Sequence, residues 1–253
     1  MSCFLGAHHV MKNLLLASIA MITMTVSASA ADLALRYAKA PLSPVAAVHD
    51  WSGFYVGAHL GYGWGHDDVT AYVRTTGNLF TTFDFNQSGI LGGGQIGYNF
   101  AATPNWLLGI EGDYSGADVS GTIDVTRAPG TARLDGTLDQ LATVRARLGY
   151  TTGSLLLYGT GGFAWGHVKA RNEQVQCFVQ TCTLGATDLI SQDRTGWAAG
   201  AGIEYAFMQN WSAKIEYIHV DFGTYRTTLS AVNRFDDDTL RVDLVRAGVN
   251  YHF

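Results

Sequence analysis

The sequence predicts an all-β protein: an eight-stranded antiparallel up-and-down transmembrane β-barrel. Three observations predict it. Apolar and polar residues alternate with a period of two in eight separate segments. Short and long connections between those segments also alternate. Aromatic residues gather at both ends of the apolar face, as they do where a protein surface crosses a membrane interface.

The first element is an export signal. From Met11 the chain reads MKNLLLASIAMITMTVSASAADLA, with Lys12 as a positive start, Leu14 to Val26 as an apolar run and Ala28-Ser29-Ala30 as a small-residue cleavage site. The apolar run is 13 residues long, short of the roughly 20 that a spanning helix needs. Residues 1–30 are therefore expected to be a signal peptide cleaved after Ala30, with Met11 the better-formed start. Residues 31–50 form a periplasmic arm and residues 51–253 the barrel.

In the first strand, FYVGAHLGYGW, Phe54, Val56, Ala58, Leu60, Tyr62 and Trp64 share a face. ILGGGQIGYNF aligns Ile90, Ile96, Tyr98 and Phe100, and WLLGIEGDY aligns Trp106, Leu108, Ile110 and Tyr114. LDQLATVRARLGY does so with Ala142, Val144, Ala146, Leu148 and Tyr150. LLLYGTGGFAW is less regular, with Leu155, Leu157, Phe163 and Trp165 as its apolar face. WAAGAGIEYAF, WSAKIEY and VRAGVNYHF complete the set, the last with Val245, Ala247, Val249, Tyr251 and Phe253. Most have the 9–11 residues that a tilted strand needs to cross a bilayer.

Short turns (AATPN, TTGS, MQN) lie at one end. The segments Gly65–Ser88, Ser115–Thr137, Gly166–Arg194 and Asp221–Asp238 are long, polar and read as loops at the other. A soluble barrel would keep its large apolar side chains inside. Here the face opposite the aromatics carries Gly, Asn, Gln and charges, the content of a small polar lumen. Four acids (Glu111, Asp113, Glu204, Glu216) balance four bases (Arg145, Arg147, Lys214, Arg246) on that face. A register around MQN that pairs Phe207 with Trp211 sets Glu204 opposite Lys214, which suggests a salt bridge within a closed plug. The competing reading is a wet pore lined by separately solvated charges.

Tyr251 and Phe253 close an aromatic-ended strand that must pair with the first, since lipid tolerates no open edge. Such an ending is similar to the signal read by barrel-assembly machinery. Phe253→Asp is expected to block assembly more than it lowers the stability of an already folded barrel. Normal levels of that variant in the outer membrane would overturn the assembly reading.

Several phrases resemble the outer-membrane immunogenic proteins of alpha-proteobacteria, small surface antigens related to the eight-stranded transmembrane domain of the OmpA class. They are YAKAP in the arm, DWSGFYVG in the first strand, LLYGTGGFAWG in the fifth, NWSAKIEYIHVDFG in the seventh and the ending VRAGVNYHF. The resemblance implies an abundant, non-enzymatic barrel in the cell outer membrane. Its expected surroundings are outer-membrane lipid and lipopolysaccharide, with a host or envelope ligand reaching the long loops.

Other chemistry is weakly supported. Cys177 and Cys182 form a C-x4-C pair in an exported chain, most simply a disulfide; a metal site there would need further ligands, which His167 alone does not supply. Gly92 to Gly97 fits G-x-G-x-x-G, but the alternation runs through it to Phe100, where a dinucleotide fold needs a helix. Asp236-Asp237-Asp238 reads as a solvated acidic tip, and carboxylates in a row do not make a calcium cage. No metal, cofactor or catalytic set stands out, and a net charge of −5 argues against a nucleic-acid partner. Three functions remain open: a structural surface protein, a narrow porin, or a loop-mediated adhesin.

Overall fold

The computed structural model describes residues 49–127, 130–178, 181–229 and 234–253. The expected signal peptide, its cleavage site after Ala30 and nearly all of the arm lie outside the described residues.

Period-two alternation resolves into eight strands: β1 (Gly53–Val73), β2 (Leu79–Ala101), β3 (Trp106–Arg127), β4 (Gly130–Thr152), β5 (Leu155–Phe178), β6 (Thr181–Ala206), β7 (Trp211–Leu229) and β8 (Arg234–His252). All neighbours are antiparallel, and β1 pairs with β8 from Tyr55↔His252 to Val73↔Arg234 to close the barrel. Beyond the strand end, the Phe253 amide donates to the Phe54 carbonyl at 3.0 Å. Every ladder donor and acceptor through the lipid-facing zone thus meets a neighbouring strand, which a membrane-spanning sheet requires.

The two faces meet different media. Leu60 and Ile90 are 74% and 69% exposed, while Arg145, Glu204 and Asn250 inside are at 0%. Outward aromatics form a belt at each end of the exposed aliphatic band. Phe54, Phe100, Trp106, Tyr150, Phe207, Trp211 and Phe253 lie at the short-turn end, with Tyr62, Trp64, Tyr114, Trp197 and Tyr217 at the other. Ring pairs stiffen the first belt: Phe54–Tyr98 at 4.7 Å, Trp106–Tyr150 at 5.4 Å and Trp211–Tyr251 at 5.2 Å.

The short turns form as expected. In one, Ala102 donates to the Trp106 carbonyl at 2.9 Å and the Thr103 hydroxyl accepts from the Trp106 amide at 3.1 Å. In another, Gly153 sits at φ +59°, a left-handed conformation that a side chain would strain. Inside, Gly97 makes room for a neighbour: a Cβ there would lie 2.3 Å from the Tyr55 ring.

The long polar connections differ from expectation. Gly65–Ser88 and its three counterparts are mostly strand, and the strands run 19 to 26 residues rather than the bilayer minimum. The alternation fades there because both faces of the sheet have left the lipid, so nothing demands one apolar side. The ladder, however, continues: β1–β2 pairing extends to Tyr72↔Leu79 and β7–β8 pairing to Leu229↔Arg234.

This collar is not closed. β2 and β3 pair only as far out as Ser88↔Ser120, and β6 and β7 only as far as Trp197↔Asp221. Beyond those points the sheet separates into two four-stranded halves. One is β7-β8-β1-β2, the other β3-β4-β5-β6. Side chains still staple one seam: Tyr225 Oη accepts from the Thr195 amide at 2.7 Å, and Gln192 Nε2 donates to Thr227 Oγ1 at 3.2 Å.

Candidate functional site: a tiered lumen

β8 shows the layering of the lumen in one line. Its inward residues run His252, Asn250, Gly248 and Arg246, then Leu244, Val242 and Leu240, then Asp238 and Asp236. Polar and ionic groups give way to an apolar layer and then to carboxylates near the outer rim.

At the short-turn end, Trp51, Leu107, Leu156, Tyr158 and Ala206 form a small apolar floor. Trp51 is fixed there by its indole N–H, which donates to the Gly153 carbonyl at 3.2 Å, and by Asn99 Nδ2, which donates to its carbonyl at 3.1 Å.

Above the floor, the structure brings all eight expected charged residues together. Arg145 is the hub. Its Nη2 lies 2.7 Å from Glu111 Oε1 and 3.1 Å from Asp113 Oδ2, and its Nη1 lies 3.1 Å from Glu216 Oε2. Its remaining donors reach the hydroxyls of Thr143 at 2.9 Å and Thr160 at 3.0 Å. Arg246 bridges the same acids from the opposite wall, at 2.8 Å to Asp113 Oδ1 and 2.7 Å to Glu216 Oε1. Lys214 Nζ lies 3.0 Å from Glu111 Oε2 and 3.2 Å from Glu216 Oε1. Arg147 pairs with Glu204 and stacks over the Tyr158 ring at 3.6 Å.

One expected bridge is corrected. The register does set Glu204 opposite Lys214, yet the two charges take other partners. Glu204 receives Arg147, Ser212 Oγ at 2.5 Å and Asn250 Nδ2 at 2.7 Å. Register fixes only neighbours along the wall. In so narrow a lumen, long side chains reach across it: Lys214 meets Glu111 on the far wall as well as Glu216, two residues along its own strand.

Sequence reasoning missed the connectors of this lattice. Tyr55 Oη donates to Glu111 Oε2 at 2.8 Å. His59 links Gln95 Oε1 at 2.5 Å to Ser115 Oγ at 2.7 Å through its two ring nitrogens. It also missed the layer above, in which Leu91, Val119, Leu138, Leu141, Ile218, Phe222 and Leu240 belong to one buried apolar cluster. The available signal was two successive apolar residues: Ile90-Leu91, Tyr217-Ile218 and Leu244-Val245 each send one side chain to lipid and one inward.

Near the rim, the Asp236 to Asp238 run is likewise not a solvated tip throughout. Period-two alternation turns Asp236 inward to burial, while Asp237 faces out to Arg226, with both contacts at 2.7 Å. The ladder sets Cys177 opposite Cys182, whose side chains lie outside the described residues. Among the described residues no group of three or more His, Cys, Asp or Glu is placed to hold a metal.

The model of the outer membrane protein beta-barrel domain matches residues 17–253. The 31 kDa outer-membrane immunogenic protein of Brucella melitensis is 35% identical, over 96% of this chain and 100% of that one. The 22 kDa outer membrane protein of Rhizobium leguminosarum is 30% identical, over 71% of this chain and 68% of the other. Among solved structures, the outer membrane protein OprG of Pseudomonas aeruginosa is 15% identical, covering 80% of this chain and 97% of that chain at a TM-score of 0.46.

Proposed function

The chain belongs to the family of outer membrane protein β-barrel domains, and from that premise we propose a structural surface antigen whose lumen is closed to solutes. It resides in the outer membrane, as its relatives' names describe for them. The observation that carries the closed-lumen reading is the buried lattice. Arg145, Arg147, Glu204, Glu216, Lys214 and Arg246 are each at most 2% exposed, and they lie between an apolar floor and an apolar layer. A hydrated ion would have to displace paired charges and then cross a layer that offers it no polar partner, at a large desolvation cost. An eight-stranded barrel is in any case just wide enough for its own side chains to fill.

The outward band and its belts suit outer-membrane lipid, with lipopolysaccharide against the collar and barrel-assembly machinery as the route of insertion. A disulfide between Cys177 and Cys182 would tie the outer end of the β5–β6 hairpin, where the register already sets them opposite.

Planar-bilayer recording of the purified protein tests the proposal. The expected result is a silent membrane in salt solution. Steady unitary conductance would overturn it in favour of a narrow porin.

A further inference from the structure

Above the apolar layer lies a cavity of about 60 Å³, walled by both halves of the collar. The halves differ in charge. From β1 and β8 come Asp67, Asp236 and Asp238; from β5 and β6 come Arg171 and Arg194, beside Asp135 of β4. The remaining wall is largely apolar, including Val69, Leu134 and Val168.

The polar groups of this cavity are buried but incompletely paired. Asp67, Gln87 and Arg194 are each at least nine-tenths buried. Arg194 donates through Nη2 to Asp238 Oδ2. Among the described residues, its Nε and Nη1 have no hydrogen-bond partner, nor do Asp67 Oδ1, Gln87 Oε1 and Asp238 Oδ1. Native proteins seldom bury so many unsatisfied atoms together, because each loses its hydration without recompense. Both signs are left open: acceptors on one wall and a guanidinium edge on the other.

We propose that this vestibule binds a small zwitterion, with a carboxylate on the open edge of Arg194 and an ammonium between Asp67 and Asp238. The geometry fits that charge pair better than either charge alone. A simple cation would leave the Arg194 edge unpaired, and a simple anion would face four carboxylates. A cavity of this volume holds about five water-sized positions. The ligand class is therefore an α-amino acid of roughly five or six heavy atoms, such as glycine or alanine, whose short body meets Val69 and Val168. The site lies outside the apolar layer, so it stands whether or not the lumen below conducts.

The protonation of Asp67 gives the site a pH dependence. Burial, then the nearby Asp238 carboxylate, push Asp67 up to about 7, with Arg194 opposing. His66 and Asp68 adjoin it on its own strand, and Asp236, Asp135 and Arg171 share the cavity. An ammonium ligand needs Asp67 ionised, so its affinity should rise as pH passes upward through 7. Stability of the unliganded protein runs the other way. A carboxyl raised in the folded state favours folding at low pH, and that contribution is lost as pH rises from the ordinary carboxylate value to about 7.

Titration calorimetry of the full-length protein in lipid nanodiscs, with L-alanine as the probe, tests this. Alanine should bind, more tightly above pH 7 than below, and acetate and ethylammonium should each bind at least ~10-fold more weakly. Asp67→Asn, which keeps the side-chain shape, should weaken alanine by at least ~10-fold and flatten its pH dependence. Arg194→Met should also weaken it, and both variants should keep the heat-modifiable gel mobility of a folded barrel. No alanine binding by the folded wild type would overturn the proposal. So would ethylammonium binding as tightly as alanine, or an undiminished Asp67→Asn.

Discussion

Arg145→Met should lower the unfolding free energy by ~3–5 kcal/mol, the usual cost of removing one partner from a buried ionic network. The substitution leaves Glu111, Asp113 and Glu216 without their shared guanidinium, and all three are buried. Lys214 and Arg246 still reach them, so the loss should stop short of complete unfolding. Urea titration in lipid vesicles, followed by tryptophan fluorescence and gel mobility, reads the change. Adding Glu111→Gln should restore part of the loss by removing one stranded charge. An effect below about 1 kcal/mol would mean that water solvates these acids, and the closed lumen would then be wrong. Arg226→Ala, which removes an exposed pair with Asp237, should leave stability unchanged.

Phe222→Ala should cost a similar ~3–5 kcal/mol, by a different route. Phe222 fills the apolar layer at 1% exposure, its ring close enough to Gly166 that a Cβ there would meet it at 2.7 Å. The variant loses transfer free energy and leaves a hole that the surrounding sheet cannot collapse to fill. Conductance should nevertheless stay silent, because the ionic lattice beneath is intact; only the combination with Arg145→Met should admit ions. A single Phe222→Ala that conducts would show that the apolar layer alone is the barrier.

How much of this the sequence disclosed follows from which media the strands touch. Between the belts one face meets lipid and the other the lumen, so Val245 to Phe253 declares its sidedness in the residues themselves. Above the belts that contrast is gone, and Asp67-Asp68-Val69-Thr70 reads as loop although its backbone is laddered on both sides. The lumen was legible as an inventory but not as a wiring diagram. Four charges of each sign follow from parity, whereas Arg147 reaching Glu204 depends on a diameter that no local pattern encodes. The apolar layer was hidden by its neighbours, since Ile218 beside Tyr217 looks like one more lipid contact. The open groups of Asp67 and Arg194 lie over a hundred residues apart, beyond any spacing rule.

The two seams of the collar also measure something. A sheet in hydrocarbon cannot leave a strand edge bare, whereas one in water can, because solvent satisfies the exposed amides. The ladder between β6 and β7 ends at Trp197, itself an outer-belt residue, and that between β2 and β3 ends at Ser120, six residues beyond the belt's Tyr114. Where the backbone stops insisting on a partner is thus a depth gauge, one independent of any side chain. Two unrelated features, ring placement and ladder continuity, both mark the outer side of the bilayer, the ladder ending at or beyond the belt. Amide exchange should fall steeply across that line, with the bare edges of β2, β3, β6 and β7 exchanging above it and the full circle staying protected below.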